Sequence, residues 1–310
     1  MTLSILVLGA SGTLGSSIAH YLCEQDFKVT GQCNRNPINF VSKNLTILQA
    51  NINQIDILNL KPNVVINCIG CKKISPELFA LNTSYPLQLI KDCEAAGVKR
   101  FIHVSSVGTI GANFKAGVVD ESCSLNPSNA YEISKAAADQ VILSIPKSNM
   151  EVLIIMPSNI VTYKSSYKEL AFLRRFLRAG ILVSIKGRSS VLNFVFDIHI
   201  SEYIKDVISS SERIVGKRIL NTPIPIEFLV ESFRKSGKKI LLLRISEKSI
   251  SRIRSLLSAV FIFLPFAILE KLINKTYEID NDRIFQTSDS FTRQRFDTDQ
   301  RRLDFVEYLK

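Results

Sequence analysis

Short apolar runs alternate with helix-length stretches through the first half of the chain. The runs are nearly continuous and partly β-branched, which is typical of parallel strands covered on both faces. They predict strands at Ser4–Leu8, Lys28–Gly31, Thr46–Leu48, Val64–Cys68, Phe101–Val104 and Val152–Ile155. The stretches between them predict helices at Ser16–Gln25, Leu81–Ala96 and Ala130–Leu143. Alternating strands and helices with short connections indicate an α/β fold, a Rossmann-type doubly wound parallel sheet.

The second half of the chain is less regular. Amphipathic patterns predict helices at Glu169–Ala179 and Ile226–Lys235, and Ser249–Asn274 is a long helical stretch that contains Pro265. We find no internal repeat and no low-complexity linker between the halves. We therefore expect two lobes that share an interface and a cleft.

The predicted domain boundary falls after the sixth strand. We expect a Rossmann domain at residues 1–160 and a smaller, mostly helical lobe at residues 161–310, with part of 193–222 returning to the Rossmann sheet. Residues 255–269 are the most apolar stretch, but they fall short of the ~20 residues that span a bilayer. They predict a buried or interfacial helical hairpin, and a peripheral membrane contact is one use of such a segment.

Positive charge is concentrated in the second half. The chain has 39 Lys and Arg against 28 Asp and Glu, a net charge of +11, and residues 164–310 hold 27 of the basic and 17 of the acidic side chains. Such a lobe suits a polyanionic ligand, for example a nucleotide diphosphate, or an anionic membrane face. Solvated helix faces are the simpler interpretation. No nucleic-acid partner is expected, because no recognition-helix or aromatic-platform motif accompanies the charge.

The cysteines and the N-terminal residues indicate the compartment. Six cysteines are scattered, mostly in apolar stretches, which does not fit a secreted disulfide framework. Cys68 and Cys71 form a CxxC, but no second pair or suitably spaced histidine accompanies them, so no metal site is predicted. Residues 1–8 lack a basic leader and predict a first strand, not a signal peptide. We expect a cytoplasmic protein, with membrane association as an open alternative.

Three glycines lie between the first predicted strand and the first predicted helix. The order of strand, glycine turn and helix is what binding of a dinucleotide pyrophosphate requires, because backbone N–H groups and the positive end of the helix dipole then face the phosphates. A bare glycine pattern would be weak, but this context makes it specific. We expect cofactor contacts from Gly9, Ser11, Gly12, Thr13, Leu14 and Gly15.

The residues that follow the second strand predict the type of dinucleotide. An acidic residue there would bind the adenosine ribose hydroxyls, whereas an arginine would accommodate a 2′-phosphate. No Asp or Glu occurs between Phe27 and Asp56, and Arg35 is available. NADP(H) is therefore favoured over NAD(H), although Arg35 could also be an ordinary solvated loop residue.

Tyr131 and Lys135 form a YxxxK motif at the start of a predicted helix. The spacing of four places both side chains on one helical face, so the ammonium can stabilise the phenolate and lower the pKa of the tyrosine. Ser105 and Ser106 end the strand that precedes this helix, at the edge of the sheet where ligands collect. A serine there can hydrogen bond a substrate oxygen while the tyrosine transfers its proton.

Together, these motifs resemble the extended short-chain dehydrogenase/reductase family, and in particular its nucleotide-sugar epimerase, dehydratase and 4-ketoreductase branch. The resemblance implies that Ser106, Tyr131 and Lys135 are catalytic, and that Asn82, Pro157 and the catalytic Tyr131 and Lys135 also lie beside the cofactor. It further implies that Asn159 faces a nucleotide-sugar, together with Ser106 and Tyr131. Homodimers are common in this family, so a homodimer is an expectation here.

The sequence therefore predicts an NAD(P)-dependent enzyme that moves a hydride to or from C4 of a nucleotide-linked sugar, as a 4-ketoreductase or 4-epimerase in surface polysaccharide synthesis. The lobe at residues 161–310 would bind the substrate. Two alternatives stay open. One is a reductase of an apolar ketone, and the other is a non-catalytic, dinucleotide-binding assembly or regulatory protein on the same fold.

Overall fold

The structure, a computed structural model, describes residues 3–111, 117–145, 149–163, 168–186, 190–246, 248–249 and 283–310. The helical stretch predicted at 249–274 lies outside the described residues apart from Ser249, and so does the apolar segment 255–269. No helix within the described ranges has both the length and the apolar character needed to cross a membrane.

Strands and helices alternate along the first half as predicted. The strands are β1 Ser4–Leu8, β2 Lys28–Cys33, β3 Leu45–Gln49, β4 Val64–Asn67, β5 Arg100–Val104, β6 Gly117–Val119, β7 Glu151–Pro157, β8 Asn159–Val161, β9 Ile181–Ile185, β10 Val191–Phe196, β11 Gly216–Leu220, β12 Thr222–Pro225, β13 Leu241–Ile245 and β14 Arg283–Phe285. The helices are α1 Thr13–Glu24, α2 Ile57–Leu60, α3 Glu77–Phe79, α4 Tyr85–Ala95, α5 Ala130–Ser144, α6 Lys168–Arg178, α7 Asp197–Ser209, α8 Ile226–Lys235, α9 Ser290–Phe296 and α10 Asp299–Leu309.

A parallel seven-stranded sheet forms the centre of the molecule. Its strand order is β11-β7-β5-β4-β1-β2-β3, and every neighbouring pair is parallel. The order reverses beside β1, which is the switch point where doubly wound folds bind ligands. The predicted α/β Rossmann-type fold is confirmed.

Both faces of this sheet are buried, which explains the nearly continuous apolar runs in the sequence. Ile5 and Val7 of β1 belong to the apolar cluster beneath α1 and α7, whereas Leu6 and Leu8 belong to the cluster beneath α4 and α5. Alternate residues of a strand point to opposite faces, so a strand covered on both sides has no polar face.

Two elements differ from the sequence prediction for identifiable reasons. Helix α1 begins at Thr13, three residues earlier than predicted, because the glycine turn leads directly into its first turn with Gly12 as the N-cap. The helix predicted at Leu81–Ala96 is α-helical only from Tyr85, because its first four residues belong to a π-helical turn, Ala80–Ser84, that follows α3. Wide turns of this kind are frequent at functional sites.

The second half of the chain combines helices with small sheets that the sequence did not predict. One sheet has the order β12-β10-β8, and a second pairs β13 with β9. A third apolar cluster, which includes Phe194, Phe233 and Phe305, packs these strands against α6, α8 and α10. These elements therefore have a core of their own.

Two strands of the central sheet continue directly into the three-stranded sheet. Strand β7 leads into β8 across Ser158, and β11 leads into β12 across Asn221. The Ser158 N–H donates to the Leu220 carbonyl oxygen at 3.0 Å, which joins the two crossings. The Asn221 side chain donates to Asn193 Oδ1 at 2.8 Å, so the second crossing is also tied to β10.

Candidate active site

The glycine turn after β1 is built around the Gly9 carbonyl. Gly9 has a φ of +74°, a left-handed conformation that favours glycine. The Gly12 N–H donates to Gly9 O at 2.9 Å and closes the turn. A Cβ at position 15 would lie 2.3 Å from Gly9 O, so the close approach of α1 to the turn requires glycine there.

The start of α1 is suited to a phosphate group. Gly12 caps the helix without a side-chain hydrogen bond, and the first turn contains no acidic residue. The first N–H groups of a helix have no intrahelical acceptor, and they carry the positive end of the helix dipole. These residues therefore fit a dinucleotide pyrophosphate.

Gln32, near the end of β2, is a contributor that the sequence analysis missed. The Gly9 N–H donates to Gln32 Oε1 at 2.9 Å, and Gln32 Nε2 donates to the Ala50 carbonyl oxygen at 2.7 Å. Gln32 is buried, so its amide fixes the turn to the neighbouring strands. Arg35 lies beyond β2 and is exposed to solvent.

Tyr131 is held near Ser106 by the way α5 begins. The Asn129 side chain caps α5 by accepting the Glu132 N–H at 3.0 Å, and Glu132 accepts the Ser128 N–H at 2.7 Å. Tyr131 therefore occupies the first turn of the helix. Its side chain hydrogen bonds with Ser106, which follows β5 in an extended conformation.

Lys135 is buried one turn after Tyr131. Its Nζ donates to the Val104 carbonyl oxygen at 2.9 Å. Burial raises the pKa of Tyr131, and the hydrogen bond from Ser106 opposes this rise. The sequence predicted that Lys135 lowers the pKa of Tyr131, whereas the pKa of this phenol is raised in the structure, because burial has the largest effect on it.

Asn82 holds the loop after β4 against α5. Its Oδ1 accepts the Cys71 N–H at 2.8 Å, while its Nδ2 donates to Cys71 O at 2.8 Å and to Ser134 Oγ at 2.9 Å. Asn82 lies in the π-helical turn and is fully buried. The side chain therefore supports the site from behind and does not line its cavity.

One cavity of about 610 Å³ brings all four of the predicted catalytic and substrate residues together. Of the residues selected from the sequence, it is lined by Leu14, Ser106, Tyr131, Lys135, Pro157 and Asn159. Further lining residues that the sequence analysis did not select include Cys68, Lys72, Glu132 and Phe285. Phenol, ammonium and hydroxyl groups thus face one space, which is the arrangement that proton transfer to a bound carbonyl or alcohol requires.

A second cavity of about 490 Å³ adjoins the glycine turn. Ser11, Gly12 and Thr13 line it, together with residues of α1 and the start of α7. The turn residues are therefore divided between two cavities, since Leu14 lines the first. Gly9, Gly15, Arg35 and Asn82 line neither cavity.

Asp139 is a buried carboxylate that the sequence analysis overlooked. It lies one turn after Lys135 on α5 and has no solvent exposure. Ser105 Oγ donates to its Oδ2 at 2.6 Å. Burial raises the pKa of Asp139 to about 7, against the opposing effects of Ser105 and Lys135.

The parallel sheet, the glycine turn beside its switch point and the cavity that holds Tyr131 and Lys135 define a short-chain dehydrogenase/reductase of the extended type. The model of the NAD dependent epimerase/dehydratase family matches residues 5–192. The chain belongs to this family.

Curated relatives match parts of the chain, among them an epimerase and a sterol demethylase protein. The UDP-glucose 4-epimerase of Vibrio cholerae is 27% identical over 195 residues, which cover 58% of this chain and 58% of the relative. The sterol demethylase protein B of Methylococcus capsulatus is 31% identical over 88 residues, which cover 27% of this chain and 26% of the relative. The chain therefore spans less than two thirds of the length of either relative.

Solved structures match a larger part of the chain. A short-chain dehydrogenase/reductase superfamily protein from Agrobacterium tumefaciens with bound NAD has a TM-score of 0.67 and 17% identity, with 99% of this chain and 96% of that chain covered. The UDP-glucuronic acid 4-epimerase of Bacillus cereus in complex with NAD has a TM-score of 0.60 and 16% identity, with 79% and 88% covered. These likenesses show the fold.

Proposed function

We propose that this protein is an NAD(P)-dependent oxidoreductase or epimerase that acts at C4 of a nucleotide-diphosphate sugar. The observation that carries the proposal is the single cavity lined by Ser106, Tyr131, Lys135 and Asn159 beside the start of α1. Membership of the epimerase/dehydratase family supports the reaction class. The division into a Rossmann domain at 1–160 and a substrate lobe at 161–310 is part of the same proposal.

The chain's own residues supply proton transfer and orientation. The Tyr131 phenol gives its proton to the C4 oxygen when a ketone is reduced and takes it back when an alcohol is oxidised. The Ser106 hydroxyl, which already hydrogen bonds with Tyr131, donates to the same oxygen and holds it in place. A bound nicotinamide supplies or accepts the hydride at C4.

Lys135 has a separate task, to hold the cofactor ribose as an ammonium. Its pKa is lowered to about 8 by burial, and Asp139 opposes that effect. Protonated Lys135 also places a positive charge near Tyr131, which favours the phenolate. This assignment predicts that activity requires the lysine to stay charged.

The substrate proposal depends on charge and on the position of Asn159. Asn159 Nδ2 donates to the Asn193 carbonyl oxygen at 3.1 Å, which fixes the side chain at the border of the two lobes. The excess of basic residues in 164–310 suits a diphosphate. The Vibrio cholerae relative is a UDP-glucose 4-epimerase, which supports a nucleotide-sugar substrate, and surface polysaccharide synthesis is the process we propose.

We favour NADP(H) as the cofactor, with NAD(H) as the alternative. Arg35 is exposed just beyond β2, where a 2′-phosphate would lie, and no acidic residue occupies the neighbouring positions 27–55. The Gln32 amide, near the end of β2, is engaged in hydrogen bonds to Gly9 and Ala50 and is not available to ribose hydroxyls. The matching solved structures contain NAD, so the choice requires a direct measurement.

Incubation of the purified protein with a panel of nucleotide-sugars and both cofactors tests the proposal. Net consumption of reduced cofactor identifies a reductase, and formation of an isomer without net redox change identifies an epimerase. Tyr131→Phe should abolish turnover and leave cofactor binding largely intact. Tyr85→Phe is the matched control, because this tyrosine of α4 lines neither of the two cavities. Unchanged turnover in Tyr131→Phe would refute the assigned role.

An apolar ketone is the second candidate substrate, favoured by the short match to a sterol demethylase protein. The same cavity and proton-transfer residues would serve it. The basic second lobe argues for the nucleotide-sugar, because a neutral substrate does not need that charge. Saturable binding of uridine diphosphate would reject the apolar ketone. A non-catalytic binding protein would hold cofactor without turning over any substrate of the panel.

Three further expectations stay predictions: a cytoplasmic location, a homodimer, and a peripheral membrane contact through residues 255–269. The membrane contact concerns a segment, residues 255–269, that lies outside the described residues. Sedimentation velocity and flotation with vesicles of anionic lipid measure the last two directly.

A further inference from the structure

Two hydrogen bonds in register dock α5 against the end of β5. Lys135 Nζ donates to the Val104 carbonyl oxygen at 2.9 Å, and the next residue along the strand, Ser105, donates from its Oγ to Asp139 Oδ2 at 2.6 Å. Lys135 and Asp139 are one helical turn apart, so their side chains lie on the same face of α5. The Lys135 ammonium and the Asp139 carboxyl group are therefore both buried between α5 and the end of β5, one helical turn apart.

Neither charge is solvated. Lys135 is 4% exposed and Asp139 is 0% exposed. An isolated charge in such surroundings becomes neutral instead of staying ionised, unless a nearby opposite charge stabilises it. Each of these two residues supplies that opposite charge for the other.

The other groups around the pair do not replace this interaction. Among the residues that the structure describes, three other groups interact electrostatically with Lys135. They are Cys68, which follows β4, Lys72, in the loop after it, and His103 of β5. Lys72 carries the same charge as Lys135 and so cannot stabilise it. Burial raises the pKa of the Cys68 thiol to about 12, which keeps the thiol neutral. Burial also lowers the pKa of His103, so this imidazole is neutral as well. Of these neighbours, only Asp139 is a carboxylate.

Lys217 and the Thr109 hydroxyl also act on Asp139, and both favour its ionised form. Each of them stabilises the ionised form of the Asp139 carboxylate, and neither contributes a negative charge near the Lys135 ammonium. The negative charge that stabilises Lys135 therefore comes from Asp139.

We propose that Asp139 is a positioning residue of the active site: its carboxylate, held by Ser105, keeps the Lys135 ammonium charged beside Tyr131. The inference rests on the proposed function in one respect, because it assumes that the reaction needs Lys135 in its protonated form. The charge relation itself can be measured without any substrate.

Two variants separate the charge from the hydrogen bond. Asp139→Asn has nearly the same shape and can still accept the Ser105 hydroxyl, but it has no negative charge. Ser105→Ala keeps the carboxylate and removes its hydrogen bond, which makes Asp139 easier to protonate. Asp139→Asn should therefore lower the pKa of Lys135 most, and Ser105→Ala should lower it less.

A direct titration of the lysine tests the charge relation. The protein is labelled with lysine carrying ¹³C at Cε, and Lys135→Met identifies the Lys135 resonance. Removal of a neighbouring charge shifts a buried pKa by about 1–3 units, so Asp139→Asn should titrate at least about one unit below wild type. An equal pKa in wild type and both variants overturns the inference, whatever the enzyme's substrate. If Asp139→Asn fails to fold, Ser105→Ala alone carries the same test.

The pH profile of kcat then connects the charge to the reaction. Wild-type activity should fall as pH rises through the pKa of Lys135, and Asp139→Asn should lose activity at lower pH while keeping most of it in acid. A uniform loss at every pH would indicate a merely structural role and would overturn the inference. Absence of turnover in wild type, with a shifted lysine titration, would reject the proposed function and leave the charge relation standing.

Discussion

The Gly9 N–H donates to Gln32 Oε1 at 2.9 Å, and this bond fixes the glycine turn to the next strand of the sheet. Gln32→Leu would remove it and leave both the Gly9 N–H and the Ala50 carbonyl without their partner. Each unsatisfied buried group costs about 1–3 kcal/mol, so the variant should unfold more easily and bind the dinucleotide more weakly. Urea denaturation and cofactor titration measure the two effects. Gln140→Leu, at an exposed position of α5, is the control and should change neither.

Gly15 and Gly12 should respond very differently to an added methyl group. A Cβ at Gly15 would lie 2.3 Å from the Gly9 carbonyl oxygen, whereas a Cβ at Gly12 would lie 3.2 Å from the same atom. The first contact forces the backbone to move, and we expect Gly15→Ala to lose about 3 kcal/mol of stability. Gly12→Ala should lose less than about 1 kcal/mol. Equal thermal denaturation midpoints would contradict this account of the turn.

Arg35 should control the choice of dinucleotide. Arg35→Asp replaces a group that can bind a 2′-phosphate with one that repels it and can bind ribose hydroxyls. We expect the ratio of NADP to NAD affinity to fall about tenfold or more, which corresponds to ~1.4 kcal/mol. Fluorescence titration with both cofactors measures the ratio. Arg213→Asp, an exposed arginine far along the chain, should leave it unchanged.

Acid should destabilise the fold through its buried histidines. Burial lowers the pKa of His199 to about 4, with Arg301 acting in the same direction and Asp304 against it. A histidine whose pKa is depressed in the folded state stabilises the fold fully above the unfolded pKa of about 6.5, and this stability is lost as pH falls toward 4. The loss from His199 is up to about 3 kcal/mol.

His199→Asn should therefore flatten the dependence of stability on pH between 6.5 and 4. His20→Asn is the control, since His20 is a partly exposed residue of α1. Denaturation midpoints across this range give the slopes. A slope in His199→Asn as steep as in wild type would show that the acid sensitivity has another source.

Glu121 fastens the C-terminal part of the chain to the edge of the central sheet. Its Oε1 accepts the Ile219 N–H at 2.7 Å and Thr287 Oγ1 at 2.5 Å, and its Oε2 accepts the Ser288 N–H at 2.9 Å. Hydrogen bonds to a charged group are among the stronger ones, so Glu121→Ala should cost about 3 kcal/mol. The exposed Glu212→Ala is the control for chemical denaturation.

The sequence predicts best where local pattern and tertiary burial agree. The bounds predicted for Ser4–Leu8 and for Ile226–Lys235 are those of β1 and α8. Strand β1 is buried on both faces, and α8 has an apolar face with polar residues opposite, so each has one consistent periodicity. The short strands β8, β9, β12 and β13 were not predicted, because they lie outside the regular alternation of strands and helices that identified equally short strands in the first half of the chain.

The residues of the candidate site likewise divide into those that the sequence predicted and those that it did not. Motif spacing selected Tyr131 and Lys135, and the structure places both on one cavity. It did not select Asp139 or Gln32, because a single acid on a helix or a single amide in a strand looks like a surface residue until its burial is known. Asn82 was expected near the cofactor, but its partners, the Cys71 backbone and Ser134, depend on a π-helical turn that residue type does not specify.

The chain passes between the central sheet and the three-stranded sheet at two neighbouring points, Ser158 and Asn221. Each crossing is a single residue between two hydrogen-bonded strands, so neither is long enough to act as a flexible linker between the two sheets. Ser158 and Asn159 line the cavity that holds Tyr131, so a ligand bound there would lie directly against one of these two crossings.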